Sequence, residues 1–274
     1  MSFDMSRLTS LSGVMEVMES EEDKALGVVI AMVAWFILLA ITMIIGPMAP
    51  FFATFKPKDR MPYYLRIVRS VAGFYGLYNG LHLLLKTELY AELAADPVTG
   101  VNPASYLFMK TILAFFAFEM ITYLYVSQVW GRSDSTLLIH HILGLAGYSI
   151  YLWSGIGFWW GVCLFTEEIS APFTGVSWVL SKLNKPHTVT WLINQWILVV
   201  VWVFFRCGID LMLLGNYFVQ LPRSFQILPY VSQAMLFVGT GTMALYLNPY
   251  WLKVKATNAL NWSPEPNKSF RKRE

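Results

Sequence analysis

The stretch LLIHHILGLAGYSIYLW, Leu137 to Trp153, sets two adjacent imidazoles, His140 and His141, inside an otherwise apolar run. A second stretch, LFTEEISAPF, carries adjacent carboxylates, Glu167 and Glu168, shortly before Pro172, and Glu119 stands in a third apolar run. An imidazole beside a carboxylate is a general base, because the carboxylate fixes the tautomer and stabilises the imidazolium that forms. That chemistry suits attack of an amine or a hydroxyl on a thioester. Without any reaction, the same groups supply hydrogen bonds between helices or a polar seat for a lipid headgroup. Two neighbouring carboxylates are not cheaply ionised together in a low dielectric, so at least one of Glu167 and Glu168 is expected to be protonated or paired.

Positioning these groups requires helices. Adjacent helical positions differ by about 100°, so one histidine is expected to face the bundle interior and the other a neighbouring helix. A rotation of one position likewise exchanges Glu167 and Glu168. Asp134 is the expected N-cap of the histidine helix, which puts the doublet roughly 10 Å along it. Glu168 precedes the end of its own apolar run by about 20 Å of straight helix, so meeting a histidine calls for a kink at Pro172. Arg206 and Asp210 are spaced i,i+4 and are expected to neutralise each other at the far end of the bundle. His82 and Asn79 are expected at that same level.

The 274-residue chain is 56% hydrophobic and only 14% charged, with a mean hydropathy of +0.51, which reads as a multi-pass membrane protein. A crossing helix needs roughly 20 apolar residues, and seven segments meet or approach that: Leu26–Ile45, Tyr64–Leu85, Ser105–Trp130, Thr136–Trp153, Gly157–Leu180, Val189–Leu214 and Gln226–Leu252. Turn formers fill the connections, among them Gly46-Pro47, Asp96-Pro97, Asn102-Pro103, Gly131-Arg132-Ser133-Asp134 and Asn184-Lys185-Pro186.

The first apolar run follows an acidic stretch, Glu16 to Asp23, so it is expected to be a retained span and not a signal peptide. With the N-terminus outside, twelve loop and tail Lys and Arg residues gather on one side, against Arg7, Lys24, Lys86 and Arg223 on the other. The positive-inside rule then places the C-terminus in the cytosol and the N-terminus in the lumen. The sequons at Asn261 and Asn267 fall in that cytosolic tail and are expected to carry no glycan. The terminal RKRE reads equally as a retrieval signal or as a basic anchor to anionic lipid.

Several classes are excluded. Cys163 and Cys207 offer neither a disulfide framework nor zinc spacing. Four histidines are too few for a membrane di-iron site, and no metal site is expected. The last run has no lysine for a retinal Schiff base, no internal repeat marks a transporter, and nothing supports nucleic-acid binding.

With His140-His141 in one span and Glu168-Ile169-Ser170 in the next, the chain resembles the TLC-domain family, which includes the ceramide synthases and smaller lipid-homeostasis proteins. The resemblance implies an all-α membrane protein of seven transmembrane helices, six forming the TLC bundle and one preceding it at the N-terminus. It divides the chain into an N-terminal segment (1–59), a TLC domain (60–255) and a basic tail (256–274). In the synthases the doublet acts with an Asp-x-Ser-Asp element in acyl transfer from acyl-CoA to a sphingoid amine. That element falls on Glu168, Ile169, Ser170 and Ala171, so the second acid is missing. The resemblance implies an endoplasmic reticulum protein of lipid homeostasis that binds lipid or acyl chains within the bundle. The alternative is an acyltransferase with acyl-CoA as co-substrate and a sphingolipid partner, using His140, His141 and Glu168. Scaffolding or cargo binding is a third role the chain can serve. Glu119, Tyr148, Glu167 and Ser170 are the expected lipid-binding residues. Gly73, Gly76, Gly144 and Gly147 are expected to allow close helix approach, and Lys56, Lys58, Lys182 and Lys185 to hold a phosphate at the cavity mouth.

Overall fold

The computed structural model describes residues 20–131 and 134–264. Arg7, the Arg132-Ser133 turn, the Asn267 sequon and the terminal RKRE lie outside the described residues. Within them the chain is helical: α1 (Glu21–Ile45), α2 (Pro57–Leu84), the short α3 (Ala91–Ala95), α4 (Pro103–Trp130), α5 (Ser135–Ser154), α6 (Phe158–Thr166), α7 (Ser170–Lys182), α8 (Val189–Val201), α9 (Ile209–Ile227), α10 (Tyr230–Thr242) and α11 (Asn248–Leu260). Three pairs join without a loop. A 3-10 turn, Glu167–Ile169, links α6 to α7, and π-helical segments Trp202–Gly208 and Met243–Leu247 link α8 to α9 and α10 to α11. The result is seven long rods at the positions of the seven apolar runs. Four of them, Glu21–Met48, Pro103–Trp130, Ser135–Ser154 and Val189–Ile227, are long and apolar enough to cross a membrane.

Local chemistry sets the boundaries. Asp134 caps α5 as its spacing predicts, its Oδ1 accepting from the amides of Thr136 (3.0 Å) and Leu137 (3.2 Å). Asn102 and Ser105 form a capping box at the start of α4, with Pro103 in the first turn. Gly131 closes α4 in the left-handed conformation at φ 61°, which a side chain would strain.

Neighbouring rods close a ring in the order α2, α4, α5, α10–α11, α8–α9, α6–α7 and back to α2. α6 also packs on α4 and α5, plugging one half of the ring. α1 lies outside, against α4 and α2, with Trp35 donating to the Thr111 carbonyl at 3.1 Å. Leu26, Ile30, Val33, Ile37 and Ile44 of α1 are exposed, as on a helix solvated by lipid.

At the plugged end Arg223 grips Asp96 with two hydrogen bonds, 2.9 and 2.6 Å. That guanidinium, helped by Thr99 and the Val98 amide, holds the Asp96 carboxyl well below the usual carboxylate range.

Candidate functional site at the open end of the bundle

The ring is hollow at the end that carries Pro57, Asp134 and Lys182. Two compartments meet there. A polar chamber of about 910 Å³ is lined by Arg66, Arg69, Glu119, His140, His141, Glu168, Ser170, Trp202, Arg206, Trp251 and Lys255, among others. An apolar hollow of about 610 Å³ lies between α5, α6 and α10, lined by Leu143, Gly144, Gly147, Tyr148, Phe165, Leu236, Met243 and their neighbours. Phe116, His140 and Glu168 line both. A further space of about 690 Å³ shares Arg66, Arg69, Asp134 and Leu137 with the chamber and extends it outward, past Trp178.

Each histidine meets a carboxylate that an arginine already holds. His141 Nε2 lies 3.5 Å from Glu119 Oε2, which accepts from Arg69 Nε at 2.6 Å and also contacts its NH2. His140 Nε2 lies 3.5 Å from Glu168 Oε1, which accepts from Arg206 NH2 at 2.8 Å. The doublet thus splits as adjacent helical positions must, His141 toward α4 and His140 toward the α6–α7 turn. The arginines compensate the carboxylate charge, which makes burial of these acids tolerable.

Glu168 reaches His140 without a kink at Pro172. The break is one turn earlier, where the 3-10 turn Glu167–Ile169 tightens the rod, and Pro172 sits in the first turn of α7, where a missing N–H is harmless. Gly73 and Gly76 of α2 let this turn come close. A Cβ on Gly73 would run into the Glu168 carbonyl, and one on Gly76 would stand 2.8 Å from the Phe165 ring. Gly144 abuts the Phe116 ring, but Gly147 has nothing within 4 Å and helps open the hollow instead.

Arg206 and Asp210 do not form the expected pair. The Trp202–Gly208 segment is π-helical, so its i→i+5 register takes Asp210 off the face that Arg206 presents. Arg206 turns to the chamber, where its Nε donates to Ser170 Oγ (2.8 Å) and Trp202 and Trp251 lie near its guanidinium. Asp210 takes Asn248 Nδ2 at 2.6 Å. His82 and Asn79 do not join them, meeting Thr87 and Tyr90 instead. Lys182 lies 3.9 Å from Asp59, and the cations lining the chamber are Arg66, Arg69, Arg206 and Lys255.

Of the expected lipid-binding residues, Glu119 and Ser170 line the chamber, Tyr148 and Glu167 the hollow. Tyr148 donates to the Gly161 carbonyl at 2.7 Å, which fixes its ring in the wall. Ala171, at the place of the second acid of the synthase element, lines the chamber with a methyl group.

A sequence model of the TLC domain, shared by TRAM, LAG1 and CLN8 proteins, matches residues 61–254. The chain belongs to the TLC-domain family. Among its relatives is Protein CLN8 of Canis lupus familiaris, 30% identical over 213 residues, which make up 74% of this chain and 70% of that protein. Protein CLN8 of Homo sapiens is 27% identical over 212 residues, with the same coverage of each chain. In this TLC domain the doublet and the Glu-Ile-Ser element stand on facing rods, and the matched region contains every residue named above as lining the two compartments except Lys255, which follows it directly.

Proposed function

We propose that this TLC protein holds a membrane lipid inside its bundle, the acyl chain in the apolar hollow and the headgroup in the cationic chamber, and thereby adjusts lipid composition in the endoplasmic reticulum. Its seven rods cross the bilayer, with the N-terminus lumenal and the chamber opening to the cytosol. One observation carries the reading: His140 and Glu168 stand at the seam where the apolar and the charged compartments meet. An amphipathic molecule seated across that seam presents its polar-apolar junction to both groups.

The contact between His140 and Glu168 favours a second reading, acyl transfer from acyl-CoA. An acceptor amine or hydroxyl attacks the thioester carbonyl as His140 takes its proton; the C–S bond breaks and the thiolate of CoA receives that proton. Glu168 orients the ring and Arg206 holds Glu168.

Mass spectrometry of lipid that co-purifies with the protein, paired with turnover of labelled acyl-CoA on amine and hydroxyl acceptors, separates the two. Bound lipid without turnover, depleted in His140→Ala and Glu168→Gln, supports the lipid holder. Turnover lost in the same variants establishes the transferase, and neither lipid nor turnover overturns both.

A further inference from the structure

Behind the seam lies a second polar cluster, of which Glu167 alone reaches the wall of the hollow. Glu167, from the 3-10 turn, and Asp210, from the first turn of α9, are 3% and 0% exposed, and their carboxyls converge on one side-chain nitrogen. Asn248, which follows the π-helical segment of α10–α11, bridges them: its Nδ2 donates to Asp210 Oδ2 (2.6 Å) and reaches Glu167 Oε2 (3.3 Å). Its amide orientation is dictated by Arg206, whose NH1 faces Asn248 Oδ1 at 3.5 Å and needs an acceptor there. Both Asn248 N–H groups are therefore committed to the acids, and its oxygen is turned away from them. Glu167 Oε1 and Asp210 Oδ1 have no hydrogen-bond partner among the described residues.

Two carboxylates that meet on one amide away from water repel each other, and neither brings the hydrogen that would relieve this unless one of them is protonated. The surroundings argue the same way. Among the described residues, the ionisable groups around the pair are Arg206, Glu168, His140, Tyr148, Cys163 and Cys207. Arg206 is the one permanent cation among them, and it is already bonded to Glu168. A metal ion would draw the Asn248 oxygen inward, the opposite of what is seen.

We infer that Glu167 and Asp210 form a proton-binding site, one proton shared between the two carboxyls and locked by Asn248. Resting on the lipid reading above, the inference explains how Glu167 lines the hollow beside an acyl chain: the pair carries a single negative charge, spread over two side chains and bridged to Arg206 through Asn248.

Infrared spectroscopy of the lipid-reconstituted protein tests it directly. Wild type is expected to show a protonated-carboxyl C=O band at neutral pH, shifted by carboxyl-¹³C labelling of aspartate and, separately, of glutamate, since both oxygen pairs contact the proton. Glu167→Gln and Asp210→Asn are each expected to abolish it, because the new amide donates the hydrogen that the proton supplied. No band at neutral pH, or a band that answers to only one label or survives either substitution, overturns the inference. The labelling arm needs no variant to fold. Because the band is read without added lipid, its absence would leave the acyl-chain reading standing, and failure to bind lipid would leave the shared proton standing.

Discussion

At the scale of the residue, the site is two arginine–carboxylate–histidine sets, Arg69 with Glu119 and His141, and Arg206 with Glu168 and His140. His140, His141, Glu119 and Glu168 are legible in the sequence because an ionisable group in an apolar run needs a reason. The same rule, applied to LRIVRS in the second apolar run, points to Arg66 and Arg69. What spacing does not encode is who pairs with whom: Arg206 meets a carboxylate 38 positions away, and Arg69 one 50 positions away. The i,i+4 rule misassigned Arg206 because it presumes α-helical register. Arg206→Leu removes the guanidinium that, among the described residues, holds Glu168 and leaves that carboxylate buried, so a loss of about 3–5 kcal/mol of stability is expected. Arg206→Lys retains the charge but cannot bond Glu168, Ser170 and Asn248 together, and an intermediate loss is expected. Thermal unfolding of the purified variants in one detergent orders the three proteins.

At the scale of the element, the seven apolar runs match seven rods, and the Asp134 cap was readable from one residue. The 3-10 turn and the two π-helical segments were not, because they arise where packing against neighbouring rods forces the helix out of register. They are also where Glu167, Glu168, Asp210 and Asn248 cluster, consistent with the use of π-bulges at functional sites. Gly73→Ala places a methyl against the backbone of that turn, 3.0 Å from the Glu168 carbonyl carbon. Backbone cannot swing aside as a side chain can. A cost of about 1–3 kcal/mol is expected, together with loss of co-purifying lipid beyond what the stability change explains. A different tie holds the opposite end. Since Arg223 lowers the proton affinity of Asp96 in the fold, the bond persists above the unfolded carboxylate value of about 3.9 and fails only as pH drops through the lowered one. Amide protection factors over residues 96–102 are therefore expected to be equal at pH 7 and pH 5, and to fall in Arg223→Ala at both.

At the scale of the whole molecule, six rods close around a hollow and α1 packs outside, an arrangement that the resemblance to the TLC family implies and hydropathy alone does not. Orientation is open to a chemical reporter: Asn261, at the end of α11, heads a sequon on the side assigned to the cytosol, so expression in glycosylating cells is expected to leave it unmodified, and a glycan there would invert the bundle. The hollow itself is tested by filling it. Gly147 lines its wall, and a Cβ built there meets nothing within 4 Å. Gly147→Leu therefore places side-chain volume in empty space, and the gain in helix propensity over glycine, about 0.5–1 kcal/mol, favours the fold. Gly144 sits one turn earlier on α5 with Phe116 against it, so Gly144→Leu is expected to destabilise instead. If the hollow receives the acyl chain, Gly147→Leu unfolds no earlier than wild type yet retains several-fold less lipid, or lipid of shorter chain, by mass spectrometry. A variant that keeps both its stability and the wild-type lipid profile would show that the chain lies elsewhere.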